Sequence, residues 1–278
     1  MSLAALTGCG GGSSNGGGAS GGDGGATRTQ RGCYAFDIGA AGGIPTLATS
    51  GDPNLDRALA GEMSGQTRFW GLPVPFYLVD DSSTGANAFY DPQHDLVALG
   101  ITMLQSRLEG YGGAAVQGVL AHEMGHKVQY TLYPSLFGTW ARNTELEADC
   151  YSGFYMAYQG LDWNAANGYL RSTYSVGDYN FTNPQHHGTP DERVAAALLG
   201  FNTAVYFYQR GYTPSYADLH QVFYGSVSRH VTRETTDPRW LAPTRGVNLG
   251  RVEETSRWLD THHSAPLKNP IPIGENPM

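Results

Sequence analysis

Two histidines four residues apart, His122 and His126, with Glu123 directly after the first, are the residues whose types and spacing carry the most chemistry. On a helix, positions i and i+4 lie a turn apart on one face, so both imidazoles can reach a single cation. Glu123 projects beside that face, where its carboxylate can take a proton from a water polarised by the metal. That is the chemistry of metal-assisted peptide-bond hydrolysis. Val116, Val119, Leu120 and Met124 surround the pair at helical spacing, so the expected helix packs into a core. Two imidazoles and a carboxylate desolvated together cost folding energy unless a cation or hydrogen bonds compensate them.

A catalytic zinc takes three protein ligands and keeps one position open. Downstream, the stretch from Asn143 to Cys150 begins a second expected helix, with Cys150, Phe154 and Ala157 at helical spacing and Gly160 as its stop. Glu145 and Asp149 fall a turn apart on one face. One carboxylate there can complete the ligand set, and an acidic partner a turn further on can orient a ligand histidine. Ala148, small and between them, allows the two helices to approach closely. Glu145, Glu147 and Asp149 also read as a solvated acidic helix start favoured by the helix dipole. Cys150 points about 100° away from Asp149 and is not expected to join the ligands.

The segments Val119 to Gln129 and Glu145 to Gly153 resemble those of the bacterial neutral zinc metallopeptidases, a gluzincin pattern. They are more distantly similar to zinc peptidases of the CAAX-prenyl-protease type, with His-Glu-x-x-His and a later Glu-x-x-x-Asp. The resemblance implies one Zn2+ per chain held by His122, His126 and Glu145, Glu123 as general base, and Asp149 supporting the ligands. It also implies a mostly helical α+β zincin-like core whose small sheet has an edge strand flanking the active site. Asn87 to Gly100 is similar to that edge-strand segment, along which a protein or peptide substrate would add as a further strand; residues 94–99 also read as an ordinary strand. His187 to Arg193 is similar to the segment that opens the last helix of such cores. His187 is the preferred partner for the oxyanion, with His186, Tyr174 and Tyr179 as other candidates by residue type. A further ligand role that keeps the enzyme latent is equally open to His187. The resemblance covers about residues 85–200; the Tyr-, Asn- and Gly-rich stretch from Gly160 to His186 departs from it.

The elements that must position these residues are legible in outline. Asp52 and Pro53 suit a helix start, with Leu55, Leu59 and Met63 on one face. Residues 76–79 read as a strand, at an edge because of the prolines before it. A strand over 94–99 and helices over 101–109, 113–131, 142–159 and 191–200 complete a mixed core. Helices over 203–209, 215–226 and 252–261 follow, and His262 and His263 read as a solvated tail.

Leu6-Thr7-Gly8-Cys9 resembles a lipoprotein processing box, with Cys9 as the lipidated residue. Gly10 to Gly25 then form a flexible tether. Only eight residues precede Cys9, without a positive charge, so either the start lies further upstream or this is a Gly-rich tail. The expected division is a truncated signal and tether over 1–27 and one metallopeptidase domain over 28–278. Lipid anchoring in a bacterial envelope is expected, and Gly10 after the cysteine favours the outer membrane. No run of about 18 apolar residues exists to span a bilayer. A net charge of −8 and a pI near 5.5 argue against nucleic acid as a partner, because a phosphate backbone needs a basic surface. Cys33 and Cys150 either pair or remain buried thiols. Two other classes stay open: a zinc-containing envelope chaperone or binding lipoprotein that does not cut, and a metal-free structural lipoprotein.

Overall fold

A computed structural model describes residues 45–133, 141–161, 163–181 and 186–227. The expected tether, Cys9, Cys33, the helix over 252–261 and His262–His263 lie outside these residues. Among the described residues the chain is α+β and mostly helical, with a small sheet, as expected from sequence.

The sheet has the order β1-β2-β4-β3, with β1 Thr46–Leu47, β2 Phe76–Val79, β3 Ala88–Asp91 and β4 Leu96–Gly100. β2 runs parallel to β4, while β1 and β3 pair antiparallel to their neighbours. Two expectations change here. β2 is interior rather than at an edge, because Pro73 and Pro75 precede the ladder and leave its donors intact; Pro75 even accepts from Val97 N through its carbonyl. The expected strand over 94–99 is the interior β4, and the edge beside the helices is β3, reached through a hairpin that sequence periodicity did not resolve. That hairpin is fixed by Asp95, in the left-handed region at φ 52°. Its carboxylate accepts from Tyr90 Oη at 2.8 Å and from Lys127 Nζ at 2.6 Å. Lys127 directly follows His126, so this ion pair ties β3 and β4 to the helix of the histidine pair.

α1, Pro53–Trp70, begins as expected: Asp52 caps it by accepting from Asn54 N and Leu55 N, and Leu59 and Met63 are buried. α2, Ile101–Tyr111, follows β4 without a loop. Its first amides find an acceptor in buried Asp81, which takes Thr102 N at 2.7 Å and Met103 N at 3.2 Å.

α3, Gly113–Leu132, and α4, Ala141–Ala157, form the centre, packed by α5, Trp163–Ser175, α6, Pro190–Gln209, and α7, Tyr216–Ser226. Small residues set their spacing. A Cβ on Gly125 would lie 3.1 Å from Ala148 O, so α3 and α4 touch at Gly125 and Ala148. The α4–α6 contact is closer still: a Cβ on Gly153 or Gly200 would fall 1.8 Å from the carbonyl oxygens of Ala197 and Cys150 respectively. Gly200 is therefore a packing residue and not a helix stop, and the separate segments expected over 191–200 and 203–209 are one helix. Thr189 and Glu192 form a capping box at its start, with Pro190 in the first turn. Cys150 is a free, buried thiol.

Candidate metal centre

α3 and α4 bring together the three residues expected to hold a metal. His122, His126 and Glu145 are buried, and one ligand atom from each lies within 4.8 Å of the others. Such a group could hold a metal ion. The reading of Glu145, Glu147 and Asp149 as a solvated helix start is overturned: they are 0%, 0% and 3% exposed. Gly125 and Ala148 explain why, since their contact brings the acidic face of α4 directly against the histidine face of α3.

The hydrogen bonds assign the ring nitrogens. His122 Nδ1 faces Asp149 Oδ1 at 2.9 Å, and His126 Nδ1 faces Gln129 Oε1 at 2.8 Å. Both acceptors require an N–H on Nδ1, which leaves each Nε2 with its lone pair. Those two nitrogens converge on Glu145, at 3.1 Å for His122 and 3.4 Å for His126. Three acceptors meeting in a buried site require a proton or a cation between them, and a divalent metal satisfies all three. In the metal-free protein a proton can take that place. Burial opposes charge on His122, but Asp149 and Glu145 outweigh it and push its pKa up to about 10. Burial likewise opposes ionisation of Glu145, and the histidines, His126 foremost, hold its carboxyl well below the usual range.

Two arms extend from the ligands. Asp149 accepts from Arg193 Nε at 2.8 Å and from Arg193 Nη2 at 2.9 Å, so α6 holds the residue that orients His122. On the other side, Gln129 Nε2 donates to Thr144 O at 2.8 Å and to Glu147 Oε2 at 2.9 Å, and Glu147 Oε1 meets His220 Nδ1 of α7 at 2.6 Å. Asp149 falls where the sequence places it. Gln129, Glu147 and His220 were missed as a supporting arm. Gln129 had a signal, standing three residues after His126 on the same helical face; the link from Glu147 to His220 had none.

Glu123 is buried beside the group. The backbone N–H of Tyr90 on β3 lies close enough to favour its charged form, while among the described residues Oε2 has no hydrogen-bond partner. Burial raises its pKa against the lowering influence of His122 and His126. A small cleft with a cavity volume of about 40 Å³ reaches this point, lined by Ala88, Val119, His122, Glu123, Tyr169 and Arg193 among others. The edge strand β3 thus contributes both to the cleft wall and to the surroundings of Glu123.

The four oxyanion candidates separate. Tyr174 and Tyr179 are 48% and 55% exposed and lie outside the cleft lining. His186 is buried but turned to Asp178, its Nδ1 2.7 Å from Oδ1. His187 also lies outside the cleft lining, but it is buried close enough to Glu145 to feel its charge, and among the described residues its Nε2 has no hydrogen-bond partner. Burial lowers its pKa and keeps the ring neutral. Gly188 makes this placement possible: at φ 101° it passes over Leu146, where a Cβ would come within 2.8 Å of Cδ2.

No protein-family profile, curated protein or solved structure matches the chain. Among the described residues no helix is long and apolar enough to cross a membrane.

Proposed function

We propose that this protein is a zinc-dependent endopeptidase with a zincin-like catalytic core, acting on protein or peptide segments laid along β3. One observation carries this reading: the unpartnered Oε2 of Glu123 lies buried at the cleft, on the helix that supplies two of the three convergent ligand residues. A purely structural metal site needs no free carboxylate at its side.

His122 and His126 through Nε2, with the Glu145 carboxylate, are the holders of the ion. When bound, zinc polarises a water and the scissile carbonyl as a Lewis acid. Glu123 takes the proton of the attacking water and passes it to the leaving amine. Its raised pKa suits a group that must first accept and then donate. The nearby Tyr90 N–H favours the charged form of the Glu123 carboxylate. Neutral His187, with a free ring nitrogen near Glu145, is the donor proposed for the developing oxyanion. Asp149 and Arg193 keep the His122 ring oriented throughout.

The test is to incubate the zinc-loaded chain with a diverse peptide mixture and to read new termini by mass spectrometry, with Glu123→Gln as control. Cuts made only by the unmodified protein are expected, with one zinc per chain in both. Cuts by both proteins alike would remove Glu123 from the mechanism. One zinc per chain without cuts in either would favour a zinc-containing binding module.

A further inference from the structure

The cleft has a second chemical feature that hydrolysis does not use. Arg193 is 3% exposed and gives Nε and Nη2 to Asp149, yet among the described residues Nη1 has no partner. Arg107 of α2 is 2% exposed. Its Nε meets Met103 Sδ at 3.2 Å and its Nη1 donates to Ser175 Oγ at 2.8 Å, while among the described residues Nη2 has no partner. Among the described residues no carboxylate lies within ion-pairing distance of Arg107. Its only charge-compensating neighbour there is the Tyr111 ring, 5.6 Å from the guanidinium.

Arg193 lines the cleft, and Arg107 lies behind that lining, held by Met103 and Ser175. Arg193 and Met103 both line it, as do Ser172, Thr173 and Val176, which flank the Ser175 that holds Arg107. Burial, and after a smaller opposing effect of Tyr111 the nearby charge of Arg193, lower the pKa of Arg107. The balance of charge is uneven: Asp149 neutralises Arg193, and among the described residues nothing equivalent neutralises Arg107. A buried guanidinium without a counter-ion costs stability, and a fold that keeps one beside a cleft has a position for an anion. A planar guanidinium fork matches a carboxylate in geometry as well as charge.

We propose that this end of the cleft is a carboxylate-binding subsite, in which Arg193 Nη1 and Arg107 Nη2 hold a carboxylate of the bound peptide. The carboxylate comes either from an Asp or Glu side chain near the scissile bond or from the peptide's own C-terminus. As a statement about substrate, this rests on the peptidase reading; as a statement about anion binding, it does not.

The test therefore has two parts. In the first, the metal-free full chain is titrated by calorimetry with N-acetylglycine and with N-acetylaspartate α-amide, each against its neutral amide counterpart. At least one acid is expected to bind tenfold or more tighter than its amide, and the one that does identifies the source of the carboxylate. Arg107→Met, close in volume and uncharged, is expected to abolish that difference and to melt no lower than the unmodified protein. Arg107→Lys keeps the charge without the fork and is expected to retain part of the difference. In the second part, the zinc-loaded chain is given matched peptides ending in acid or amide, and carrying Asp or Asn, with kcat/KM as the readout. A tenfold preference for the carboxylate is expected, falling towards unity in Arg107→Met. Equal binding of acid and amide by the unmodified protein would overturn the subsite, as would undiminished carboxylate binding by Arg107→Met. Carboxylate binding without cleavage of any peptide would leave the subsite standing and remove the peptidase. Cleavage without carboxylate preference would do the reverse.

Discussion

Gln129 gives the most direct test of how the metal centre is held. Its side chain makes three buried hydrogen bonds, accepting from His126 Nδ1 and donating to Thr144 O and Glu147 Oε2. Gln129→Met preserves length and flexibility while removing all three. Loss of an oriented partner for a metal-binding histidine weakens metal affinity by about 10- to 100-fold, or about 1.4 to 2.7 kcal/mol. Separately, each buried group left without a partner costs about 1 to 3 kcal/mol, and the charged Glu147 lies at the upper end. Part of that loss is recovered because His220 still holds the other oxygen of Glu147. The expected net destabilisation of the metal-free protein is about 3 kcal/mol, a fall in Tm of roughly 6 to 12 °C for a domain of this size. The assays are zinc competition against a chromophoric chelator and thermal unfolding with and without zinc. The weaker affinity also reduces the extra stabilisation by saturating zinc by about 1.4 to 2.7 kcal/mol. Zinc affinity within twofold of the unmodified protein, in a variant that folds, would refute the claim that Gln129 fixes His126.

Other outcomes are as specific. Asp149→Ala leaves Arg193 buried without its carboxylate and is expected to destabilise by about 3 to 5 kcal/mol in chemical denaturation, whereas Asp149→Asn keeps a side-chain acceptor for His122 and should cost less. Gly200→Ala places a methyl 1.8 Å from Cys150 O, where a backbone carbonyl cannot swing aside; a loss of about 3 kcal/mol is expected, visible as a lowered denaturant midpoint. His187→Ala is expected to lower kcat by about 10²- to 10³-fold while zinc stoichiometry is unchanged, and Tyr174→Phe and Tyr179→Phe should leave kcat within about twofold. The pKa of Asp178 is held down to about 2: burial opposes ionisation, but hydrogen bonds from His186 and from backbone amides outweigh it. Because the folded value lies below the ordinary 3.8, its stabilisation is present above about pH 4 and lost as pH falls towards 2. The Tm difference between the unmodified protein and Asp178→Asn should therefore shrink across that interval.

The ligand group was the most legible part of the chain, because a helix of known period fixes which residues share a face. His122, His126, Glu145 and Asp149 all depend on i, i+4 spacing within a helix, and only the docking of the two helices had to be supplied by the fold. Arg193 was visible as part of the His187–Arg193 segment, but its bond to Asp149 was not, since helix periodicity says nothing of which distant carboxylate a guanidinium meets. The His220 contact to Glu147 was illegible for the same reason. β3 was obscured because four residues are too short for alternation to declare itself and all four are buried, leaving no polar face. α5 was hidden by its Asn and Gly content. Gly168 is there because a Cβ would sit 2.2 Å from Tyr111 O, a contact made by tertiary packing and not by helix propensity.

The arm running from His126 through Gln129 and Glu147 to His220 has a consequence for the order in which the chain is made. Synthesis delivers both histidines and Glu145 well before α7 emerges, so a growing chain carries every ligand atom before the last brace for His126 exists. If the group holds a metal, full-strength capture would wait until α7 has docked, and a product clipped ahead of Tyr216 would keep the whole ligand set yet hold the ion loosely.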